Sequence, residues 1–158
     1  MSRMSPRRPA VLTFDIVKSA PVPAAACSPR DLNALAAFTL EAERVRTPVE
    51  LTLDLTGHRR IQRLNRHFRG VDRTTDVISF RDEADGVMMG DLAINIEQAA
   101  IQAKKMRHPW KREVRLLLIH GILHLLGYTD YEPKPRRRMF KRQNELLRRW
   151  EKKAGVRA

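Results

Sequence analysis

The sequence contains very little cysteine and few aromatic residues. Cys27 is the only cysteine among 158 residues, so no disulfide can form within the chain. A chain without disulfides fits a reducing compartment, and we expect the protein in the cytoplasm. Every apolar stretch is shorter than the roughly 20 residues that a membrane helix needs, which predicts no membrane partner. Aromatic residues make up only 6% of the chain, so a surface built mainly on base stacking is not indicated.

The amino-terminal segment is basic but lacks the features of a leader sequence. Arg3, Arg7 and Arg8 resemble the charged start of a signal peptide, but Asp15 and Lys18 interrupt the apolar run that follows. We therefore expect a disordered basic tail at residues 1–9, one domain at residues 10–153 and a short tail at residues 154–158. Hydrophobic residues make up 42% of the sequence, which is enough for a folded core at this length.

The charge is strongly unbalanced, with 31 lysines and arginines against 18 acidic residues and a net charge of +13. Such an excess favours a polyanionic partner, usually nucleic acid, over a merely soluble surface. Residues 133–158 hold eleven basic residues and two acidic ones. This segment predicts either a solvated helix face or a surface that follows the phosphates of RNA, and we favour RNA. The candidate RNA-binding residues are Arg136, Arg137, Arg138, Lys141 and Arg142.

The hydrophobic pattern alternates between strands and helices. Period-two or β-branched stretches predict strands, and apolar residues at spacings of three and four predict helices. Thr56 is the expected N-cap of the second helix, and residues 82–86 are an expected acidic turn between two hairpin strands. This order predicts an α/β (α+β) fold with a small mixed four-stranded sheet and about five helices. The predicted strands are 11–17, 49–55, 75–80 and 87–96, and the predicted helices are 31–44, 56–68, 97–106, 109–126 and 133–153.

Two histidines, His120 and His124, lie four residues apart in the most apolar predicted helix. That spacing places both imidazoles on one helix face, where they can bind one metal ion. Gly127 is the expected helix cap, and Asp130 follows within the next loop. The alternative is a pair of core histidines with ordinary hydrogen-bond partners. We favour a metal, because one ion would give both rings a partner in an otherwise apolar helix. Gly121 stands where the HExxH motif carries its glutamate, which argues against a glutamate-driven peptidase.

The same residues form part of a longer pattern that resembles the YbeY family of bacterial metal-dependent endoribonucleases. That family's signature is His-Gly-x-Leu-His-Leu-x-Gly-Tyr-Asp-His, and residues 120–128 follow it. Three upstream segments also resemble the family and occur in the family's order: Leu64-Asn65-Arg66-His67-Phe68-Arg69, Thr75-Asp76-Val77-Ile78-Ser79-Phe80 and Gly90-Asp91-Leu92-Ala93-Ile94. The resemblance covers about residues 48–148.

The resemblance implies a function and a set of site residues. It implies a single-strand-specific endoribonuclease in small-subunit rRNA maturation and ribosome quality control, with RNA and ribosomal particles as partners and no DNA substrate. The cofactor is expected to be one Zn²⁺, with another divalent transition metal as the alternative. Arg69 matches a family arginine near the metal and is the candidate catalytic residue, with a role in holding phosphate. Nothing in the sequence predicts the oligomeric state.

The chain departs from the family pattern at the third ligand, where Asp130 replaces a histidine. A carboxylate can bind zinc, but it cancels part of the ion's charge. We rank Asp130 first as the third ligand, Glu132 second, and loss of the metal third. The substitution keeps open a rival function, a ribosome-assembly or RNA-binding factor whose catalysis is weak or lost.

Overall fold

The structure is a computed structural model that describes residues 11–22 and 28–156. Within those ranges the chain forms four strands and five helices, which confirms the predicted α+β fold. The expected basic tail at residues 1–9 lies outside the described residues, as does Cys27. The elements in chain order are β1 Leu12–Lys18, α1 Pro29–Ala42, β2 Val49–Thr56, α2 His58–Arg69, β3 Val77–Ala84, β4 Val87–Asn95, α3 Ile96–Met106, α4 Trp110–Leu125 and α5 Pro133–Ala154.

The sheet is mixed, with strand order β1-β2-β4-β3. β1 runs parallel to β2 and β2 runs parallel to β4, whereas β3 pairs antiparallel with β4. The β3–β4 hairpin closes on two residues, Asp85 and Gly86, which have φ angles of 52° and 75°. Two positive φ angles match the twist of the strands, so the hairpin can be this tight.

The structure corrects two local predictions, one at Thr56 and one in the β3–β4 hairpin. Thr56 does not cap α2, since it is the buried last residue of β2 and Gly57 occupies the N-cap position. The acidic segment from Asp82 is not a turn, because β3 continues to Ala84 before the chain reverses. Strand pairing outweighed the local turn preference of aspartate here, since the β4 residues Met88 and Met89 provide partners for Glu83 and Asp82.

Helices cover the two faces of the sheet unequally. The main core lies on one face, where α4 packs against β3 and β4 and is itself covered by α1, α3 and α5. Leu53, Leu92 and Ile94 are the sheet residues at its centre. A second, smaller cluster lies on the other face, where Ile61 of α2 meets Ile78 and Ala93. α4 therefore lies in the interior beside the strands, with its carboxyl end near one end of the sheet.

A glycine sets the distance between α4 and the sheet. Gly121 is buried, and a Cβ added there would lie 2.9 Å from Leu92 Cδ2 and 3.4 Å from Val77 Cγ2. Only a hydrogen in place of a side chain allows this approach. The position at which the HExxH motif carries glutamate therefore faces the sheet in this chain and cannot serve the cleft.

Candidate metal centre

α4 and the loop after it bring three potential ligands together. His120 and His124 lie one turn apart, with ring centroids separated by 4.7 Å. Leu126 ends the helix, and Gly127 follows with a φ of 99°, a conformation that glycine adopts readily. The reversed chain returns Asp130 toward the histidines, so that its Oδ2 lies 3.6 Å from His120 Nε2 and 3.5 Å from His124 Nε2.

Hydrogen bonds fix which nitrogen of each histidine faces the aspartate. His120 Nδ1 donates to Gln143 Oε1 at 2.6 Å, and His124 Nδ1 donates to the carbonyl oxygen of Tyr128 at 3.0 Å. Both partners are oxygen acceptors, so the proton of each neutral ring lies on Nδ1 and the Nε2 lone pair is free. The second nitrogen of a metal-binding histidine makes the same type of contact in known metal sites.

Burial favours the neutral form of His124. Desolvation lowers the pKa of this imidazole, and the neighbouring His120 lowers it further, whereas Asp130 opposes the shift. A neutral His124 presents a lone pair, not a proton, to Asp130 Oδ2. Lone pairs that face one another across about 3.5 Å repel, and a bound cation between them would relieve that repulsion.

The three side chains fit a bound metal ion. Their ligand atoms all lie within 4.8 Å of one another. Ligands about 2.1 Å from one tetrahedral ion would be roughly 3.4 Å apart, close to the two nitrogen–oxygen distances. Among the described residues, this is the group of histidine, cysteine and acidic side chains that meets these distances. Glu132, the second-ranked ligand, is instead the exposed N-cap residue of α5.

The candidate ligands open into a small cleft of about 210 Å³. Arg69, at the end of α2, lines this cleft across from the histidines, and its Nη2 donates to the carbonyl oxygen of Ser79 at 3.0 Å. Arg69 therefore lines the same cleft as His120, His124 and Asp130. The remaining lining residues are Thr75, Asp76, Val77, Ser79 and Tyr131.

Two residues that hold the site in place lie outside the motifs of the sequence. Gln143 of α5 is buried and orients His120. Its signal in the sequence was a polar residue within the apolar stripe of α5 formed by Met139, Leu146 and Trp150. Glu43, just after α1, accepts a hydrogen bond of 2.9 Å from the Tyr128 hydroxyl and so ties the loop to the core. Nothing local in the sequence indicates that contact.

The predicted RNA-binding residues of α5 divide into two groups. Arg136, Arg137, Arg138 and Lys141 are exposed, and Arg138 lines a hollow beside the loop at residues 127–129. Arg142 differs from them, because its guanidinium pairs with Glu43 at 2.5 Å and with Glu145 at 3.1 Å. Its charge is therefore compensated within the fold. The four exposed residues lie toward the amino end of α5, which follows the loop of the candidate metal site.

Comparisons with known proteins identify the family of this chain. The sequence profile of the family described as Endoribonuclease YbeY matches residues 25–151. This chain belongs to the YbeY family. An Endoribonuclease YbeY from Bacillus licheniformis is 33% identical over 132 residues, covering 76% of this chain and 84% of that protein. One from Limosilactobacillus fermentum is 39% identical over 127 residues, covering 70% of this chain and 81% of that protein.

A solved structure shares the fold of this chain. The solution structure of TM1509 from Thermotoga maritima superposes with a TM-score of 0.59, covering 89% of this chain and 91% of that chain. The two sequences are 23% identical over this superposition, so the likeness concerns the fold. Within the described residues, no helix combines the length and apolarity required to cross a membrane.

Proposed function

We propose that this chain is a metal-dependent endoribonuclease that cleaves single-stranded RNA during ribosomal RNA processing, with one Zn²⁺ as the preferred cofactor. The observation that carries the proposal is the meeting of two imidazole lone pairs and one carboxylate in a cleft that Arg69 also lines. The relatives' names, Endoribonuclease YbeY, supply the substrate class. Small-subunit rRNA maturation and ribosome quality control in the cytoplasm remain the expected setting.

His120, His124 and Asp130 would hold the ion. When bound, a divalent metal supplies a Lewis acid that polarises a phosphate oxygen or lowers the pKa of water. The protein's own groups do the rest. Gln143 and the Tyr128 carbonyl orient the two imidazoles, and Arg69 offers a fork of N–H donors to a phosphate. The guanidinium stabilises negative charge that develops on the phosphoryl oxygens during cleavage.

The proposed activity is tested with purified protein and a labelled single-stranded RNA. We expect cleavage that a chelator abolishes and that stoichiometric Zn²⁺ restores. His124→Ala removes a ligand and should lose cleavage, whereas His67→Ala removes an exposed histidine of α2 and should keep it. Cleavage that persists in His124→Ala would remove the cleft from the mechanism.

Arg69 has a separate test within the same assay. Arg69→Ala should lower the cleavage rate by about 10²-fold or more, since it removes a contact to the developing charge. The bound metal should remain stoichiometric, because Arg69 donates to Ser79 and contacts none of the ligand atoms. Arg46→Ala, in the exposed loop between α1 and β2, is the control. Unchanged cleavage in Arg69→Ala would exclude this arginine from catalysis.

Asp130 favours a second candidate function, an assembly or RNA-binding factor with weak catalysis. A carboxylate neutralises part of the charge that three imidazoles would leave on the ion. Asp130→His separates the two functions. If weak catalysis results from the carboxylate, Asp130→His should cleave faster than the natural chain with the same metal content. RNA binding without cleavage in both forms would favour the binding factor.

A further inference from the structure

Arg69 lines the cleft of His120, His124 and Asp130, which we call the metal cleft. A separate hollow lies next to it, on the side of the sheet that α2 partly covers. It has a volume of about 280 Å³, and we call it the aromatic hollow. Phe68 of α2 and Phe80 of β3 form its aromatic wall, with ring centroids 4.9 Å apart. Phe68 is 59% exposed, so its ring is open to a ligand. Val17, Asp54, Leu64 and Asp91 also line it. Arg60 lines it too, with its Nε–H donated to Asp54.

Arg69 and Phe80 separate the aromatic hollow from the metal cleft. The Arg69 guanidinium lies over the Phe80 ring, with its carbon 5.7 Å from the ring centroid. The same guanidinium lines the metal cleft through its contact with Ser79. A strand of RNA whose phosphate meets Arg69 would therefore have a neighbouring base within reach of Phe68.

Carboxylates supply the polar side of the hollow. Asp91 of β4 is exposed and lies in register between Thr52 of β2 and Phe80 of β3. Asp54 accepts a hydrogen bond of 2.8 Å from Arg60 through Oδ2. Its other oxygen, Oδ1, is buried and finds no hydrogen-bond partner among the residues that the structure describes. Ionised carboxylates only accept hydrogen bonds, so this side of the hollow selects a group with N–H donors.

The surroundings of the hollow favour a nucleic acid over other occupants. α2 carries five exposed arginines and no acidic residue. One of them, Arg60, is paired with Asp54, and the other four face the surface beside the hollow. Phosphates can follow this helix while a base turns inward to the aromatic wall. Proteins read single-stranded RNA in this way, by stacking unpaired bases on aromatic rings and by hydrogen bonds to their edges.

We propose that the aromatic hollow binds one unpaired nucleobase next to the scissile phosphate, stacked on Phe68, and prefers a base that donates N–H groups to Asp91. Guanine suits the site best, because N1–H and the N2 amino group can donate together to one carboxylate. Uracil presents two carbonyl oxygens beside a single N–H and suits it least. This inference rests on the proposed function for the identity of the strand, but its test does not require cleavage.

The test measures binding of 2′-O-methyl oligonucleotides to the metal-loaded protein, with strand integrity checked on a gel. One strand contains only uracil, and a second carries a single guanine. A third carries a single 2-aminopurine, whose fluorescence falls when it stacks. We expect the guanine strand to bind more tightly than the uracil strand. Phe68→Ala should weaken its binding by about ten-fold and restore the 2-aminopurine fluorescence.

Two matched controls accompany these variants. Met106→Ala removes another exposed apolar side chain, at the end of α3, and should bind as the natural chain does. Asp91→Ala should abolish the preference for guanine, whereas Asp15→Ala should retain it. Asp15 is an exposed carboxylate in the same sheet row, two strands from Asp91, and does not line the hollow. Phe68→Trp keeps an aromatic surface and should keep binding.

The outcomes separate this proposal from the proposed function. Natural affinity, stacking and base preference in both Phe68→Ala and Asp91→Ala would overturn the base site, even if the protein cleaves RNA. Loss of stacking in Phe68→Ala from a protein that never cleaves RNA would support the base site and overturn the nuclease. Binding of a protein segment at Phe68 that no oligonucleotide displaces would also contradict the base site.

Discussion

The two histidines of α4 show how single atoms determine what the cleft can bind. An ordinary buried histidine uses both ring nitrogens in hydrogen bonds, whereas His120 and His124 use Nδ1 and direct Nε2 toward Asp130. Loss of one of three ligands weakens a metal site far more than loss of a nearby surface charge. The third ligand therefore decides whether the two histidines can hold a metal ion.

Asp130→Ala is expected to lose the metal, while Glu132→Ala is expected to keep it. Both variants remove one acidic side chain from the same loop, but only Asp130 lies near the histidines; Glu132 is exposed at the start of α5. The measurement is metal content of the purified variants by elemental analysis, together with thermal unfolding to confirm the fold. Stoichiometric metal in Asp130→Ala, or its loss in Glu132→Ala alone, would reverse the ranking of the two ligands.

At the scale of elements, the position of α4 depends on its close approach to the sheet at Gly121. Glycine in a helix interior costs about 1 kcal/mol relative to alanine, so its presence here needs a packing reason. Leu92 supplies that reason, because its side chain occupies the space that a Cβ would take. A shift of α4 would also move His120 away from Gln143 of α5, which orients its ring.

Gly121→Ala should destabilise the protein by about 1–3 kcal/mol, since overpacking outweighs the gain in helix propensity. Urea unfolding measures the change in the free energy of unfolding. Leu92→Ala opens the space that the new methyl group needs, so the two substitutions should cost less together than the sum of their separate effects. Strict additivity of the two changes would show that Gly121 does not set the helix position through Leu92.

The sequence predicted the elements better than it predicted their connections. Regular spacing identified β2 and α4, and His120, His124 and Asp130 meet because all three belong to one helix and its following loop. The contacts that orient the site span the chain, since Gln143 lies 23 residues from His120 and Glu43 lies 85 residues from Tyr128. Periodicity carries no information about such pairs. The predicted N-cap at Thr56 was wrong for a similar reason. Thr56 pairs with Asn95 of β4, and this long-range pairing keeps it in β2.

For the whole molecule, the net charge of +13 acts through its distribution. Salt bridges within the fold compensate several arginines, among them Arg60 with Asp54, Arg115 with Asp31 and Arg142 with Glu43. The exposed arginines at the start of α5 remain beside the loop of the candidate metal site. Phosphates bound there would release counterions, which makes binding depend on salt concentration.

The triple variant Arg136→Ala, Arg137→Ala, Arg138→Ala should bind single-stranded RNA more weakly and with a smaller salt dependence. Each lost phosphate contact lowers the slope of log affinity against log salt by about 0.7. The control, Lys104→Ala, Lys105→Ala, Lys111→Ala, removes the same charge from exposed positions on α3 and α4. Fluorescence anisotropy across a salt series gives both slopes. Equal slopes for the two triple variants would assign the salt dependence to net charge alone.

The most direct test of the metal-dependent nuclease is a titration of metal-free protein with Zn²⁺, in which bound metal and RNA cleavage are measured in the same samples. We predict that cleavage rises in proportion to bound metal and reaches its plateau at one ion per chain, and that Asp130→Ala shows neither tight binding nor cleavage over the same range. Full cleavage by the metal-free protein, or one tightly bound ion per chain without any cleavage, would contradict the account.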